Sequence, residues 1–304
     1  MKIIIVITFF CVVAACGPKK VEQAPIDVEK YKAEIEVWHQ KRVENLKGPN
    51  GWLNVVGLYW LHEGINTFGS SEKNDIVFPQ SKIPERAGVF LLTQNTVTLE
   101  PAPKVNITIK KEPVGSSVVY HPDSARAVVQ EYESLQWFII KRDNKFGVRL
   151  RDFSSPGIQS FTKIDRYPVD PAWRIEATFE KAQDSARTIS IANVLDQTTP
   201  QPSPGTLVFY IDEKEYRLDV LDEGGPEYFV IVGDATNTHE TYGAGRYMYV
   251  SKPDSTNKVI LDFNKIYNPP CAFTAFATCP LPPRQNVLDV AITAGEKNYG
   301  IEHQ

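Results

Sequence analysis

A mainly β protein led by one amphipathic helix is the fold class this chain predicts, on three observations. Short β-branched and aromatic runs alternate with turn residues along most of its length. Twenty-two prolines and 13 tyrosines against two methionines describe loop-rich β structure rather than a helical bundle. Only one stretch, near the N-terminus, has convincing helical periodicity. With 304 residues, 42% of them hydrophobic and 23% charged, the chain has the length of one large domain or two ordinary ones. Its 33 basic against 37 acidic residues leave a formal charge of -4 and no positive field for holding phosphate backbones, so nucleic acid is not an expected partner.

The chain opens with Lys2 and an apolar run from Ile3 to Ala15, broken only by Thr8. At about 1.5 Å per residue the run is too short for a bilayer core of roughly 30 Å, and it reads as a signal peptide. Its end, Val13-Ala14-Ala15-Cys16-Gly17, resembles the lipobox of bacterial lipoproteins. That resemblance implies cleavage before Cys16, lipidation of its thiol and anchoring by more than one acyl chain. Residues 1–15 are then a leader and residues 16–26, without apolar periodicity, a lipidated tether. Gly17 is not the aspartate that retains lipoproteins at some inner membranes, and no acidic surface-export cluster follows. The expected location is therefore the cell envelope, on an outer membrane facing the periplasm.

Residues 27–48 are the expected helix, with Val28, Tyr31, Ile35, Trp38 and Leu46 at spacings near three and four and Gly48-Pro49 as the stop. A second, short helix is expected within 123–132. Strands follow at 52–60, 75–78, 89–92, 96–99, 105–110, 137–141 and 147–151, spaced as in a sandwich or a partly closed barrel. A second series, at 174–179, 206–211, 216–221, 228–232, 247–250 and 259–263, forms another antiparallel region. The boundary lies near 165, giving a sandwich-like region at 50–164 and a second β region at 165–304, either as two domains or as two sheets sharing one core. Asp212-Glu213-Lys214-Glu215 reads as a hairpin turn, and the turn-rich 252–257 is expected to join 247–250 and 259–263 as another.

Two constellations stand out for chemistry. Cys271 and Cys279 share a proline-rich loop, which in an exported protein reads first as a disulfide; two free buried thiols or a metal or redox role are the other readings. His39, His62, His121, His239 and His303 show no ligand spacing to each other or to this pair, so no metal and no cofactor are expected. The segment from Asp234 to Tyr247 is dense in polar, glycine and aromatic residues and follows a buried-looking strand. Gly243-Ala244-Gly245 can bring backbone close to a ligand, Arg246 can grip a carboxylate or phosphate by its fork, and Glu240 or Asp234 can act as acid or base. The plainer reading is a glycine-rich turn in which Arg246 pairs with Asp262 or Glu240 to pin two strands. There is no Gly-x-Ser-x-Gly elbow, His-Glu-x-x-His, phosphate loop or dinucleotide fingerprint.

The strings Tyr242-Gly243-Ala244-Gly245-Arg246-Tyr247, Leu261-Asp262-Phe263-Asn264, Tyr267-Asn268-Pro269-Pro270-Cys271 and Thr278-Cys279-Pro280-Leu281-Pro282-Pro283, with Ala294-Gly295-Glu296, resemble the bacterial domain of unknown function 1684 family. The likeness extends upstream through Gly51-Trp52-Leu53, Gly57-Leu58 and Gly147-Val148-Arg149-Leu150-Arg151-Asp152. It brings no established activity, but it marks Glu240, Tyr242, Arg246, Asp262, Asn264, Asn268, Cys271 and Cys279 as the family's motif positions here. A second likeness, in Glu63-Gly64, Asn66, Phe68-Gly69-Ser70 and Asn74-Asp75-Ile76-Val77, is to the opening strands of a forkhead-associated sandwich. Ser70 stands where that fold's phosphate-gripping arginine is expected, so the sandwich is expected and phosphopeptide reading is not.

The expected function is a membrane-anchored envelope lipoprotein whose β regions bind a small ligand or an envelope protein, with Asp234, Glu240, Tyr242, Arg246, Asp262, Asn264 and Asn268 as candidate ligand contacts. The alternatives are a carboxylate acid/base hydrolase of an envelope component, and a structural subunit presenting Trp52, Tyr59 and Trp60 on an exposed face.

Overall fold

The computed structural model describes residues 26–124 and 126–300, so the expected leader, Cys16 and nearly all of the tether lie outside the described residues. The helix, α1 (Val28–Lys47), forms as its sequence dictates. Asp27 caps it, its carboxylate accepting from the Lys30 N–H at 3.1 Å. Glu29 sits in the first turn and Lys47 in the last, each complementing the helix dipole. Tyr31, Ile35 and Leu46 are its buried face. Among the described residues no helix is long and apolar enough to cross a membrane.

Eleven strands follow: β1 (Val55–Trp60), β2 (Gly64–Gly69), β3 (Ile76–Val77), β4 (Gly88–Thr93), β5 (Thr96–Pro101), β6 (Thr108–Ile109), β7 (Glu112–Pro113), β8 (Ser117–Tyr120), β9 (Gln130–Tyr132), β10 (Leu135–Arg142) and β11 (Lys145–Asp152). They make two sheets, ordered β1-β11-β10-β9-β6-β7 and β3-β2-β4-β5-β8. Phe68, Phe78, Phe90, Trp137, Val148 and Leu150 fill the space between them, and the result is a β-sandwich. Period-2 alternation sets which face is which: in β11, Phe146, Val148 and Leu150 enter this core while Gly147, Arg149 and Arg151 take the opposite face. The expected helix is absent from the described residues of the stretch 123–132. Its end is β9, paired with β10 from Tyr132↔Leu135 to Gln130↔Trp137, because sheet pairing outweighs a weak helical preference beside Val128 and Val129.

The second series is β12 (Arg174–Lys181), β13 (Thr188–Ala192), β14 (Thr198–Pro202), β15 (Gly205–Ile211), β16 (Lys214–Asp219), β17 (Glu227–Val232), β18 (Arg246–Ser251) and β19 (Lys258–Asp262). β16-β15-β12-β19 form one sheet, while β17-β18 and β13-β14 form two-stranded pairs. A separate apolar core, with Leu207, Phe209, Leu218, Val230, Met248, Leu261 and Phe263, binds the four-stranded sheet to β17-β18. The β15–β16 hairpin turns at Asp212 and Glu213, both at positive φ, and Ile211 faces Lys214 across it.

The hairpin expected between 247–250 and 259–263 does not form. β18 pairs with β17 and β19 with β12. The outer edge of β18 is taken instead by the chain beyond β19: Tyr247 N–H donates to the Tyr267 carbonyl at 2.8 Å, and Tyr267 N–H donates back at 2.9 Å. The turn at 252–257 therefore joins two strands of different sheets.

Trp52, Tyr59 and Trp60 do not make an exposed apolar face. All three are half-buried; Tyr59 packs on Phe78 with ring centroids 5.7 Å apart, and Trp52 enters a cluster with Phe229, Tyr247, Ala277 and Cys279. Trp52 thus carries contact from the sandwich region to the second region. Helix α1 does the same, with Leu46 against Leu53, Phe161 and Ile164 of the first region and Tyr31 and Arg42 hydrogen-bonded to Asp262 and Glu296 of the second.

Candidate functional site

The structure places the seven candidate residues in three groups. In the first, Arg246 stands at the start of β18 with its side chain fully buried. Its Nη2 donates to Asp234 Oδ2 at 2.8 Å and to the Ile292 carbonyl at 2.9 Å, and its Nη1 donates to the Ala294 and Glu296 carbonyls at 2.6 and 3.2 Å. Asp234 Oδ1 in turn accepts from the Thr236 N–H at 2.9 Å, the Thr236 hydroxyl at 2.5 Å and the Ile292 N–H at 3.2 Å. Arg246 is therefore a strut tying the end of β17 and β18 to the extended segment 292–296. The partner expected for it, Asp262 or Glu240, is corrected to Asp234, because β18 and β19 belong to different sheets.

Gly245 serves the same construction. At φ +85° it lies where side chains are disfavoured, and a Cβ there would stand 2.7 Å from the Val232 carbonyl oxygen. The glycine thus serves close backbone packing between β18 and β17, whereas Gly243 is exposed. Glu240 lies beside this strut with a half-exposed side chain. It accepts from the Tyr167 hydroxyl at 3.0 Å and faces Lys297 Nζ at 3.8 Å. Burial, then the bond to Glu240, pushes the Tyr167 phenol up to about 12. Tyr242 is half-buried, and burial raises its phenol.

The second group surrounds Asn268, whose N–H donates to Glu296 Oε2 at 2.7 Å and whose amide donates to the Lys297 carbonyl at 2.7 Å. Arg42 of α1 closes it, donating to Glu296 Oε1 at 3.2 Å and to the Asn268 carbonyl at 2.9 Å while stacking 4.7 Å from the Tyr267 ring. Burial raises the Glu296 carboxyl, with Arg42 opposing that shift. Arg42 and Glu296 had no sequence signal as partners: they stand 254 positions apart, one on the polar side of a helix.

The third group joins Asp262 and Asn264. The Tyr31 hydroxyl of α1 donates to Asp262 Oδ1 at 2.7 Å, and the Asn264 amide donates to Tyr31 Oη at 3.0 Å and to the Asp170 carbonyl at 2.9 Å. Asp262 also lines a cleft of about 640 Å³ between the edges of β18 and β19, with Trp38, Arg174, Tyr249, Lys265 and Tyr267 in its wall. The cleft exists because β18 and β19 diverge from their connecting turn into separate sheets. Since Tyr247 turns its backbone groups away from β17, ladder alternation turns those of Tyr249 and Ser251 the same way, toward the cleft. Lys252, Lys258 and Lys265 pair with Asp222, Glu176 and Asp262 at 3.1, 2.9 and 3.6 Å. Arg174, opposite Asp262 in the β12–β19 register, has no carboxylate partner among the described residues.

Cys271 and Cys279 are joined in a disulfide with Cα atoms 6.1 Å apart, which clips the loop between them. Among the described residues no group of three or more His, Cys, Asp or Glu side chains is arranged to hold a metal ion.

Residues 159–297 match the family described as protein of unknown function (DUF1684). A comparison with curated proteins gives no match. Among solved structures, an uncharacterized protein of Haloarcula marismortui determined by solution NMR is similar at 30% identity over 49% of this chain and 83% of its own, with a TM-score of 0.40. A forkhead-associated domain described for phosphothreonine-dependent interactions aligns at 14% identity over 31% of this chain and 92% of its own, with a TM-score of 0.20. Mycobacterium tuberculosis EmbR, solved with a low-affinity phosphopeptide, aligns at 14% identity over 43% of this chain and 33% of its own, with a TM-score of 0.18.

Proposed function

The chain belongs, through residues 159–297, to the DUF1684 family of proteins of unknown function, and from that premise we propose that it is a lipid-anchored envelope protein whose second β region binds a small acidic ligand in the cleft between β18 and β19. The observation that carries the reading is the composition of that cleft at its Arg174 end, since Glu227 and Asp254 line the opposite end beside the 252–257 turn. Arg174 supplies a guanidinium fork without a carboxylate partner among the described residues, Trp38, Tyr249 and Tyr267 supply flat apolar surface, and the part of the β18 edge beyond the Tyr247–Tyr267 bridge, at Tyr249 and Ser251, supplies backbone donors and acceptors. Of the sequence candidates, Asp262 lines this cleft, while Arg246, Asp234 and Asn268 are buried in the framework. The hydrolase alternative has less behind it, because Glu240 is half-exposed and the Arg246 fork is occupied by protein acceptors.

The test is native mass spectrometry of the full chain purified from the membrane fraction, beside Arg174→Ala and Tyr249→Ala. The expected result is a bound small molecule on the wild type that both variants lose. Absence of any bound species, or one retained by Arg174→Ala, rejects the cleft as the site.

A further inference from the structure

The outer face of the β1-β11-β10 sheet carries three arginines, Arg142, Arg149 and Arg151, and no acidic residue pairs with any of them among the described residues. Arg149 is 6% exposed, and its Nε and Nη2 have no hydrogen-bond partner among the described residues. Arg151 is 7% exposed, with Nη1 donating to the Pro49 carbonyl and Nε unpartnered. Arg142 is exposed and turns its Nε onto Thr278 Oγ1 at 3.2 Å. A buried charge without a counter-charge is among the least favourable features a fold can hold, so this face requires an explanation.

Trp52 supplies part of one. Its ring lies 5.3 Å from Arg149 Cζ, a cation–π contact that covers the flat face of the guanidinium. Stacking leaves the in-plane donors unused, and Nε with Nη2 are the two that form the side-on fork to an oxyanion. Burial, then the neighbouring Arg142 and Arg151, pull the Arg149 guanidinium down to about 10, a direction that an entering anion would reverse. The wall over this face is the segment Thr274–Thr278 inside the disulfide loop. It is held by the Thr274 hydroxyl on the Val55 carbonyl at 2.9 Å, by the Arg142 bond to Thr278, and by Ala277 packing near Trp52.

We propose that Arg149, with Arg142 and Arg151, forms a second binding site, for a phosphate-class oxyanion, between the outer face of the sandwich sheet and the disulfide loop. Three guanidinium groups favour a dianion over a single carboxylate. This site is separate from the β18–β19 cleft and shares none of its residues.

The experiment is thermal unfolding of the full chain in detergent, in phosphate-free buffer of fixed ionic strength, titrated with inorganic phosphate and, in parallel, with glycerol phosphate or acetate. The wild-type midpoint should rise with inorganic phosphate, growing with the logarithm of its concentration above Kd. A response to glycerol phosphate that exceeds that to inorganic phosphate would assign the site to phosphate esters rather than the free ion. Arg149→Met should lose the response and, without phosphate, unfold no lower than wild type, since it removes an unpaired buried charge. Arg142→Gln, at an exposed position, should stay folded and need about fivefold more phosphate. No wild-type response, an equal response in Arg149→Met, a lower phosphate-free midpoint in that variant, or acetate matching phosphate would each overturn the proposal.

Discussion

Arg246 and Asp234 carry the largest single-residue consequence in the second region. Both side chains are fully buried, and each satisfies backbone groups of 292–296 as well as its partner. Arg246→Met leaves the Asp234 carboxylate buried without its counter-charge and should destabilise by about 3 to 5 kcal/mol in urea unfolding. Asp234→Ala should cost a similar amount and the double variant less than the sum, which a double-mutant cycle reads directly. Asp219 makes a pH prediction. Burial alone would raise its carboxyl, but bonds from Thr206, Arg187 and Gln285 outweigh that and hold it below its ordinary value. A carboxyl depressed on folding contributes stability that is present above its unfolded pKa of about 4 and is lost as pH falls through the folded value. Asp219→Asn should therefore cost on the order of 2 kcal/mol at pH 7, and its urea midpoint should converge on wild type as the pH drops below about 4. Of these residues, Arg246 and Asp234 were legible as a polar constellation in one loop. Their roles were not, because their backbone partners in 292–296 lie about fifty positions away and are groups that no side-chain pattern advertises.

At the scale of elements, the disulfide loop is a short clip that positions the wall over Arg149. Chain entropy assigns a loop of this length about 2.6 kcal/mol, so Cys271→Ala with Cys279→Ala should lower unfolding stability by about that amount relative to the oxidised wild type. A loss near zero would mean that packing around Trp52 and Ala277 holds the loop unaided. The helix and the β15–β16 hairpin are legible in the sequence because both are local. Asp27, Gly48 and the i, i+4 pair Tyr31 and Ile35 specify the helix, and Asp212-Glu213 specifies the turn. The β18–β19 connection looks just as local and is not. A six-residue turn permits a hairpin without requiring one, and the Tyr247–Tyr267 bridge and the β12–β19 ladder both claim edges that the hairpin would have used.

For the whole molecule, the prediction concerns where it is held. Cys16→Ala should move the protein from the membrane fraction to the soluble one, and retention in the membrane would reject lipid anchoring. What the sequence by itself determined is what short-range chemistry can write: a leader-like apolar run ending at a cysteine, one capped helix, a mainly β chain with a sandwich first and a second antiparallel region after it, and two cysteines near enough to bridge. What only the tertiary structure decided is which of the polar residues are framework and which face a cleft. Arg246, Asp234 and Asn268 became buried struts, Asp262 came to line a cleft beside Arg174, and Arg149, which its strand alternation merely placed opposite the core, became a buried cation stacked on Trp52. The reason is physical. Burial, counter-charge and free strand edges are properties of groups brought together from distant parts of the chain, and their energies depend on what surrounds them rather than on which residues stand beside them in sequence.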